Sequence, residues 1–240
     1  MIDSANKERE KRILDAAAAL FTHYGFDKTT VSDIAAEAGV SKGAIYLHFE
    51  SKENLLEALL LRELQAYATA WLARIEADPL GGTIGGLYKN SLYALNDNPF
   101  MSAVFRKDGR ILGNYLRKQD NLVQKLTESQ GQSSRQIFVQ RMQEAGAVRD
   151  DIDAAVIAHI MNMLSYGLVS MDDILPAQEI PPVEGLIEGI AEIMDKALTP
   201  ENGADSAAGK AIVRDLFEAG RQVKIEYKIE IEAEQLTADS

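Results

Sequence analysis

A cluster of polar side chains between residues 41 and 52 has the chemistry needed to hold phosphate. Lys42 and Lys52 carry positive charges that can neutralise phosphate. Tyr46 can donate a hydroxyl proton, and His48 can donate a ring N–H. Each residue also has an ordinary interpretation, since exposed lysines are solvated and tyrosine or histidine often covers a core. Their close spacing favours a nucleic-acid contact over four unrelated surface residues.

The segment 29–52 that carries these side chains predicts two short helices joined by a tight turn. Thr30 can cap the first helix, and Asp33 three residues later completes a capping box. Gly39 permits a left-handed stop, and Ser41 restarts the chain as a second N-cap. This layout is a helix-turn-helix. Its inward face is predicted to comprise Val31, Ile34, Ala35, Ala38, Ile45 and Phe49.

The run from Ile34 to Leu56, IAAEAGVSKGAIYLHFESKENLL, resembles the DNA-binding domain of TetR-family transcriptional regulators. The resemblance extends from about Glu8 to Glu57. The rest of the chain has the length and the helical sequence pattern of that family. It implies a homodimer that places two recognition helices in successive major grooves of a double-stranded operator. The DNA contacts that it implies are Thr30, Ser41, Lys42, Gly43, Tyr46, His48 and Lys52.

Composition bounds the class of protein. The chain has 240 residues, which suffices for a small N-terminal module and a larger second domain, and it contains no cysteine. The charged N-terminus and the lack of a long apolar run lead us to expect a cytoplasmic protein without a membrane span. The net charge of −12 opposes DNA binding, but the first 55 residues hold seven Lys/Arg and nine Asp/Glu against 18 and 28 in the remainder.

Helical periodicity dominates the rest of the chain, so we expect an all-α fold. Helices are predicted at about 7–24, from 52 to the Asp78-Pro79 break, and at 83–95, 109–128, 150–171 and 183–198, with shorter ones between. The predicted domains are a helix-turn-helix module at 1–52, a helical ligand-binding and dimerisation domain at 53–200, and a linker with a C-terminal extension at 201–240.

The helices at 150–171 and 183–198 carry wide apolar stripes. These stripes could form the core of one domain, or they could pair with their mates in a dimeric four-helix bundle, which the family resemblance favours. The residues are Ile152, Ala155, Val156, His159, Ile160, Met163 and Leu164 on the first helix, and Val183, Leu186, Ile187, Ile190, Ile193, Met194 and Leu198 on the second.

The resemblance also implies a cavity for a small effector in the second domain. Most large side chains there must be core, but a few are candidates for lining an apolar pocket with some polar groups. The effector is expected to be a small apolar or amphipathic molecule, and no metal or other cofactor is expected. The pocket candidates are Tyr88, Phe105, Tyr115, Met142, His159, Asn162, Met163 and Tyr166.

The C-terminal extension departs from the pattern of the family. The segment 223–234, VKIEYKIEIEAE, alternates apolar and charged residues, which predicts a β-like arm if the segment is ordered and a charged disordered tail otherwise. Before it, 203–210 reads as a flexible linker and 211–222 as a short helix.

The sequence offers no catalytic residues. It lacks cysteine, a GxxxxGK[ST] phosphate loop and a GxSxG nucleophile elbow, so an enzyme is not expected. The predicted function is a sequence-specific regulator, more specifically a repressor released by its ligand. Two alternatives stay open: a non-specific architectural DNA binder, which would respond to no small molecule, and a ligand-binding protein without DNA activity.

Overall fold

The computed structural model describes residues 2–119, 121–127, 134–170, 175–203 and 205–219, and this part of the chain is helical throughout, with no strand. The all-α prediction is therefore confirmed, whereas the predicted β-like arm at 223–234 lies outside the described residues. In chain order the α-helices are α1 (Ile2–Tyr24), α2 (Val31–Ala38), α3 (Lys42–Tyr46), α4 (Lys52–Ala77), α5 (Ile84–Asn96), α6 (Pro99–Phe105), α7 (Gly109–Leu112), α8 (Leu122–Thr127), α9 (Ser134–Glu144), α10 (Ala154–Ser170), α11 (Val183–Leu198) and α12 (206–219).

The described residues fall into two compact units. The first unit draws on 1–67, 95–134 and 160–181, and the second draws on 68–94, 135–159 and 182–240. Helix α4 contributes its first 16 residues to the first unit and the rest to the second. The helix-turn-helix lies in the first unit, together with α6, α7 and α8.

The helix-turn-helix forms as its sequence predicts. Thr30 accepts a hydrogen bond from the Asp33 backbone while Asp33 accepts one from Thr30, which is the predicted capping box. Gly39 ends α2 with φ +64°, and Ser41 caps α3. The core of this module is built from buried apolar residues of α1 to α3 and their flanks: Ile13, Leu14, Ala17, Phe21, Ile34, Ala35, Ala38, Ile45 and Phe49. Tyr24, the last residue of α1, does not join that core and is 57% exposed.

The second unit is organised around the α4–α5 turn. Asp195 on α11 accepts hydrogen bonds from the Gly85 backbone and the Thr83 hydroxyl, and so caps the start of α5. A Cβ on Gly85 would lie 2.3 Å from the Ala191 carbonyl oxygen, so glycine permits α5 and α11 to touch. Trp71 donates its indole N–H to the Leu87 carbonyl and ties α4 to α5.

Three element predictions were wrong in detail. The helix predicted at 109–128 is interrupted because Gly113 adopts φ +55°, after which a 3₁₀ turn covers Gly113–Arg117 and α8 begins separately. Helix α10 begins at Ala154 instead of residue 150 because the Asp153 carboxylate accepts the Ala155 N–H. The predicted linker at 203–210 is largely the first turn of α12. No helix in the described part of the chain combines the length and apolarity that crossing a membrane requires.

Replacing Thr30 with alanine tests the capping box. The substitution should cost about 1 kcal/mol of unfolding free energy at pH 7, because α2 loses its N-cap. Hydrogen bonds from Thr30 hold the pKa of Asp33 below its usual 3.8. A lowered folded-state pKa adds stability above the unfolded-state pKa and loses it as pH falls through the folded-state value. The loss of unfolding free energy in Thr30→Ala, measured by urea denaturation, should therefore become smaller below about pH 4. The control is Ser32→Ala, at an exposed position in the first turn of α2. An equal loss of unfolding free energy in that variant would contradict the capping role of Thr30.

Candidate nucleic-acid interface

Helix α3 is anchored on one side and exposed on the other. Ile45 and Phe49 are buried and fix the helix to the module core. The Ser41 hydroxyl oxygen accepts the Ala44 N–H at 3.1 Å, which leaves the hydroxyl proton of Ser41 able to donate outward. The opposite side carries Lys42 and Gly43, both exposed to solvent.

The exposed side of α3 presents donors and a positive charge to whatever approaches it. The Lys42 ammonium lies 5.9 Å from the centroid of the Tyr46 ring, and the Tyr46 side chain is 49% exposed. A Cβ on Gly43 would meet only the Ser41 oxygen, at 3.9 Å, so the fold does not require glycine there. A thin, donor-rich face of this kind suits close approach to a phosphate backbone.

Two residues implied as DNA contacts are already engaged by the protein. The Lys52 ammonium donates to the carbonyl oxygens of Phe26 at 2.8 Å and Thr29 at 2.9 Å, and it lies 4.2 Å from the centroid of the Phe26 ring. Two of its three donors are thus used. Thr30 donates its only hydroxyl proton to the Asp33 carboxylate at 2.7 Å. Lys52 thus ties the start of α4 to the α1–α2 loop and Thr30 caps α2, while the DNA contacts expected of both residues stay predictions.

His48 is half-buried, and its Nε2 atom is inaccessible to solvent without a hydrogen-bond partner among the described residues. A phosphate contact by His48 would therefore have to use Nδ1. The neighbouring Leu47 is 82% exposed at the C-cap of α3, and the sequence analysis did not select it. An exposed leucine beside a recognition helix can contact a thymine methyl group. Leu47 could have been selected from the sequence because it is an apolar residue on the side of α3 that faces away from Ile45 and Phe49.

The module is joined to a segment outside it by a set of contacts that we call the clip. The clip connects the α1–α2 loop and the start of α4 to residues 110–118, all within the first unit. Phe26 donates its backbone N–H to the Ile111 carbonyl at 2.8 Å, and the Asp27 carboxylate accepts the Asn114 N–H at 3.1 Å. A Cβ on Gly113 would lie 2.6 Å from that carboxylate, so glycine permits the approach.

Tyr115 is the buried centre of the clip. Its hydroxyl donates to the Glu57 carboxylate at 2.9 Å and accepts the Leu122 N–H at 2.9 Å. Its ring lies edge-on to Phe26 with a centroid distance of 6.2 Å, and the side chain is 1% exposed. Tyr115 was predicted to line an effector pocket, but its hydroxyl is committed to connecting α4 with the start of α8.

The eight predicted pocket residues are divided between the two units. Tyr88, Met142 and His159 belong to the second unit, and the other five belong to the first. Tyr88 and Met142 are buried, whereas Phe105 and Asn162 are half-buried. Two surface hollows of about 520 and 580 Å³ lie against α1, and none of the eight residues lines either.

The candidates on α10 lie on its outward side. His159, Met163 and Tyr166 are exposed because α10 buries the opposite face. That buried face comprises Ala154, Ile157, Ala158, Met161 and Ser165. The 3.6-residue period grouped His159, Asn162 and Tyr166 on one side of the helix but did not tell which face is buried, and their role as polar groups of an effector cavity stays a prediction.

Comparison with known proteins identifies the N-terminal part of the chain. The family model for bacterial regulatory proteins of the tetR family matches residues 13–59, which span the second half of α1 through the first turns of α4. The transcriptional regulator YerO of Bacillus subtilis is 53% identical over 49 residues, which cover 20% of this chain and 17% of YerO. The match to this relative thus spans less than a fifth of its length.

Longer matches are weaker in sequence. UidR of Escherichia coli, also a transcriptional regulator, is 24% identical over 205 residues, covering 83% of this chain and 99% of UidR. A transcriptional regulator from Aquifex aeolicus has a similar fold, with a TM-score of 0.57, 20% identity and coverage of 79% of this chain and 99% of that one. FadR of Bacillus subtilis, solved in complex with stearoyl-CoA, gives a TM-score of 0.56 at 20% identity, covering 77% and 96%.

Separate substitutions of the two lysines should distinguish their roles. Lys42→Ala should weaken DNA binding, reduce the slope of log affinity against log salt by about 1 and leave stability unchanged. Lys52→Met should instead lower the free energy of unfolding by roughly 1–3 kcal/mol, because two carbonyls lose a charged donor. Fluorescence anisotropy across a salt series and urea denaturation measure the two effects. A salt slope altered by Lys52→Met in a fully stable protein would restore Lys52 as a phosphate contact.

Gly43→Leu should separate DNA approach from folding. The added side chain has open space in the free protein, so the free energy of unfolding should stay within about 0.5 kcal/mol of the parent. DNA affinity should fall by at least about tenfold, because the side chain keeps the backbone of α3 from the phosphates. Gly109→Ala, where nothing lies within 4 Å of the added Cβ, is the control. Unchanged DNA affinity in the Gly43 variant would mean that α3 does not face DNA.

Proposed function

Because this chain belongs to the TetR family of bacterial regulatory proteins, we propose that it is a transcriptional regulator that binds a pseudo-palindromic operator as a homodimer and is released by a small effector. The observation that carries the DNA-binding part is the exposed face of α3, with Ser41, Lys42 and Tyr46 beside an unobstructed Gly43. Two such faces about 34–36 Å apart enter successive major grooves of B-form DNA. The relatives in the comparison are transcriptional regulators, which agrees with a protein that is not an enzyme.

The exposed stripe on α10 supports the dimer. Val156, Ile160, Met163 and Tyr166 are 48–61% exposed, and α10 contains no Asp, Glu, Lys or Arg from Ala154 to Ser170. A contiguous apolar face without charge on a 17-residue helix is costly to leave in water, and pairing with a second copy covers it. The stripe is self-complementary under a two-fold axis, since apolar residues meet apolar residues.

The clip supports control of DNA binding from outside the helix-turn-helix. Residues 110–118 hold the α1–α2 loop through Asp27 and Phe26, so a change in that segment alters the position of the module relative to α4. An effector that binds the two arrangements with different affinities shifts their populations. FadR of Bacillus subtilis was solved with stearoyl-CoA, and we propose a small apolar or amphipathic effector for this chain as well.

Enrichment of random duplex DNA by the purified protein tests the function. The proposal predicts an inverted repeat whose affinity exceeds that for scrambled DNA by roughly 10³-fold or more at physiological salt. Uniform affinity for all sequences would replace the proposal with the architectural alternative. No binding by a folded protein would replace it with the ligand-binding alternative.

Met163→Glu should break the dimer. A carboxylate on the stripe must be desolvated opposite its own symmetry mate, so the dimer dissociation constant should rise by at least about tenfold. Sedimentation velocity over a concentration series measures this change. Leu80→Glu is the matched control, because Leu80 is also 61% exposed but lies in the α4–α5 turn. A dimer unaffected by Met163→Glu would show that α10 is not the interface.

Tyr115→Phe should weaken operator binding although Tyr115 lies outside α3. Removal of the hydroxyl leaves the Glu57 carboxylate and the Leu122 N–H without this partner, at a cost of roughly 1–3 kcal/mol. The loosened clip reduces the fraction of protein in the DNA-competent arrangement and lowers the apparent affinity. Tyr93→Phe removes a similar bond to Glu188 in the second unit and is the control. Equal operator affinity for both variants would contradict the role of the clip.

A further inference from the structure

Helix α12 lies in the second unit against the C-terminal end of α4 and the turn that follows it. The Ser206 hydroxyl accepts the Gly82 N–H at 3.1 Å and donates to the Pro79 carbonyl at 3.0 Å. Val213 is 1% exposed, so α12 also buries apolar surface. These contacts join residues more than 120 positions apart in the sequence.

Two glycines set how closely α12 approaches the turn. A Cβ on Gly82 would lie 1.8 Å from the Ser206 carbonyl oxygen, and a Cβ on Gly209 would lie 1.9 Å from the Gly82 carbonyl oxygen. Any side chain at either position would push α12 away from the turn. The close approach therefore depends on glycine on both sides of the contact.

Two cations of α12 complete the contact at the end of α4. The last carbonyl groups of a helix lack partners within the helix, and a positive charge there also favours the helix dipole. The Lys210 ammonium donates to the Asp78 carbonyl at 2.8 Å and the Glu76 carbonyl at 3.4 Å. Arg214 makes two parallel bonds to the Glu76 carboxylate, at 2.7 and 2.8 Å.

The same turn is held on its other side by α5. The Asp78 carboxylate accepts the Leu80 N–H, the Asn90 side-chain amide and the Lys89 ammonium at 2.9–3.1 Å. The contacts with α5 join residues that are close in sequence. The contacts with α12 are made by the C-terminal extension. Residues 13–59 match the family model, so α12 lies far outside the matched region.

We propose that α12 is a latch that fixes the C-terminal end of α4 and the turn 78–82, and that its displacement frees this end of the helix. A binding partner or modification that removes α12 from Gly82 and Glu76 would act on α4 from the C-terminal extension. The latch is a second point of control, distinct from the clip, and it does not depend on the protein binding DNA.

Hydrogen exchange of the full chain without DNA tests the latch. Gly209→Val should separate α12 from the turn, and Arg214→Glu should place two carboxylates against each other at Glu76. Both variants should exchange amides of residues 72–83 at least about tenfold faster than the parent, because this segment loses its long-range restraint. Exchange in 13–21, within α1, should stay as in the parent, and Gly109→Ala should change neither segment.

A charge reversal completes the test. Adding Glu76→Arg to Arg214→Glu should restore the exchange protection of 72–83, because the ion pair is re-formed with opposite sense. Parent-like exchange of 72–83 in both Gly209→Val and Arg214→Glu would overturn the latch. Faster exchange spread evenly over 13–21 and 72–83 would also overturn it, since α12 would then be a general stabiliser.

Discussion

The ammonium group of Lys52 is the contact that joins the start of α4 to the loop between the first two helices of the N-terminal module. It lies at the first position of α4, donates to the carbonyls of Phe26 and Thr29, and sits over the Phe26 ring. The α1–α2 loop therefore has a fixed position relative to α4, and α2 begins at Val31, two residues after Thr29. Helix α3 packs on α2 and buries Ile45, so Lys52 is joined to α3 indirectly, through the loop and α2.

Further along its length in the first unit, α4 binds residues of α1 and of later helices. Near its start, Glu57 accepts the Tyr115 hydroxyl. One turn and a half later, Arg62 donates to Asp15 on α1 at 2.6 Å, and Glu63 accepts the Asn98 side chain at the N-cap of α6 at 3.0 Å. The helix-turn-helix is thus held through α4 by residues that belong to later helices.

The sequence predicted what short-range rules determine. The Thr30–Asp33 box, the left-handed Gly39 and the Ser41 cap each depend on residues at most three positions apart, and all three were confirmed. The carbonyl contacts of Lys52 were not predicted because its partners lie 23 and 26 residues earlier, and a surface lysine looks the same in sequence whether it meets phosphate or carbonyl oxygen. The bonds of Tyr115 to Glu57 and Leu122 were not predicted for the same reason, since burial alone does not distinguish a pocket wall from a structural hydrogen bond. The contacts of α12 lie beyond any local pattern.

We propose that two copies of this chain hold their α3 helices about one turn of DNA apart. The absence of cysteine allows one spin label per subunit at Glu37→Cys, an exposed position on α2. Pulsed dipolar spectroscopy of the labelled protein then measures the distance between the two modules. The two labels should give one narrow distance when the enriched duplex is bound and a broader distance distribution without DNA. The absence of any dipolar signal in the bound complex, or a distribution that DNA leaves unchanged, would contradict it.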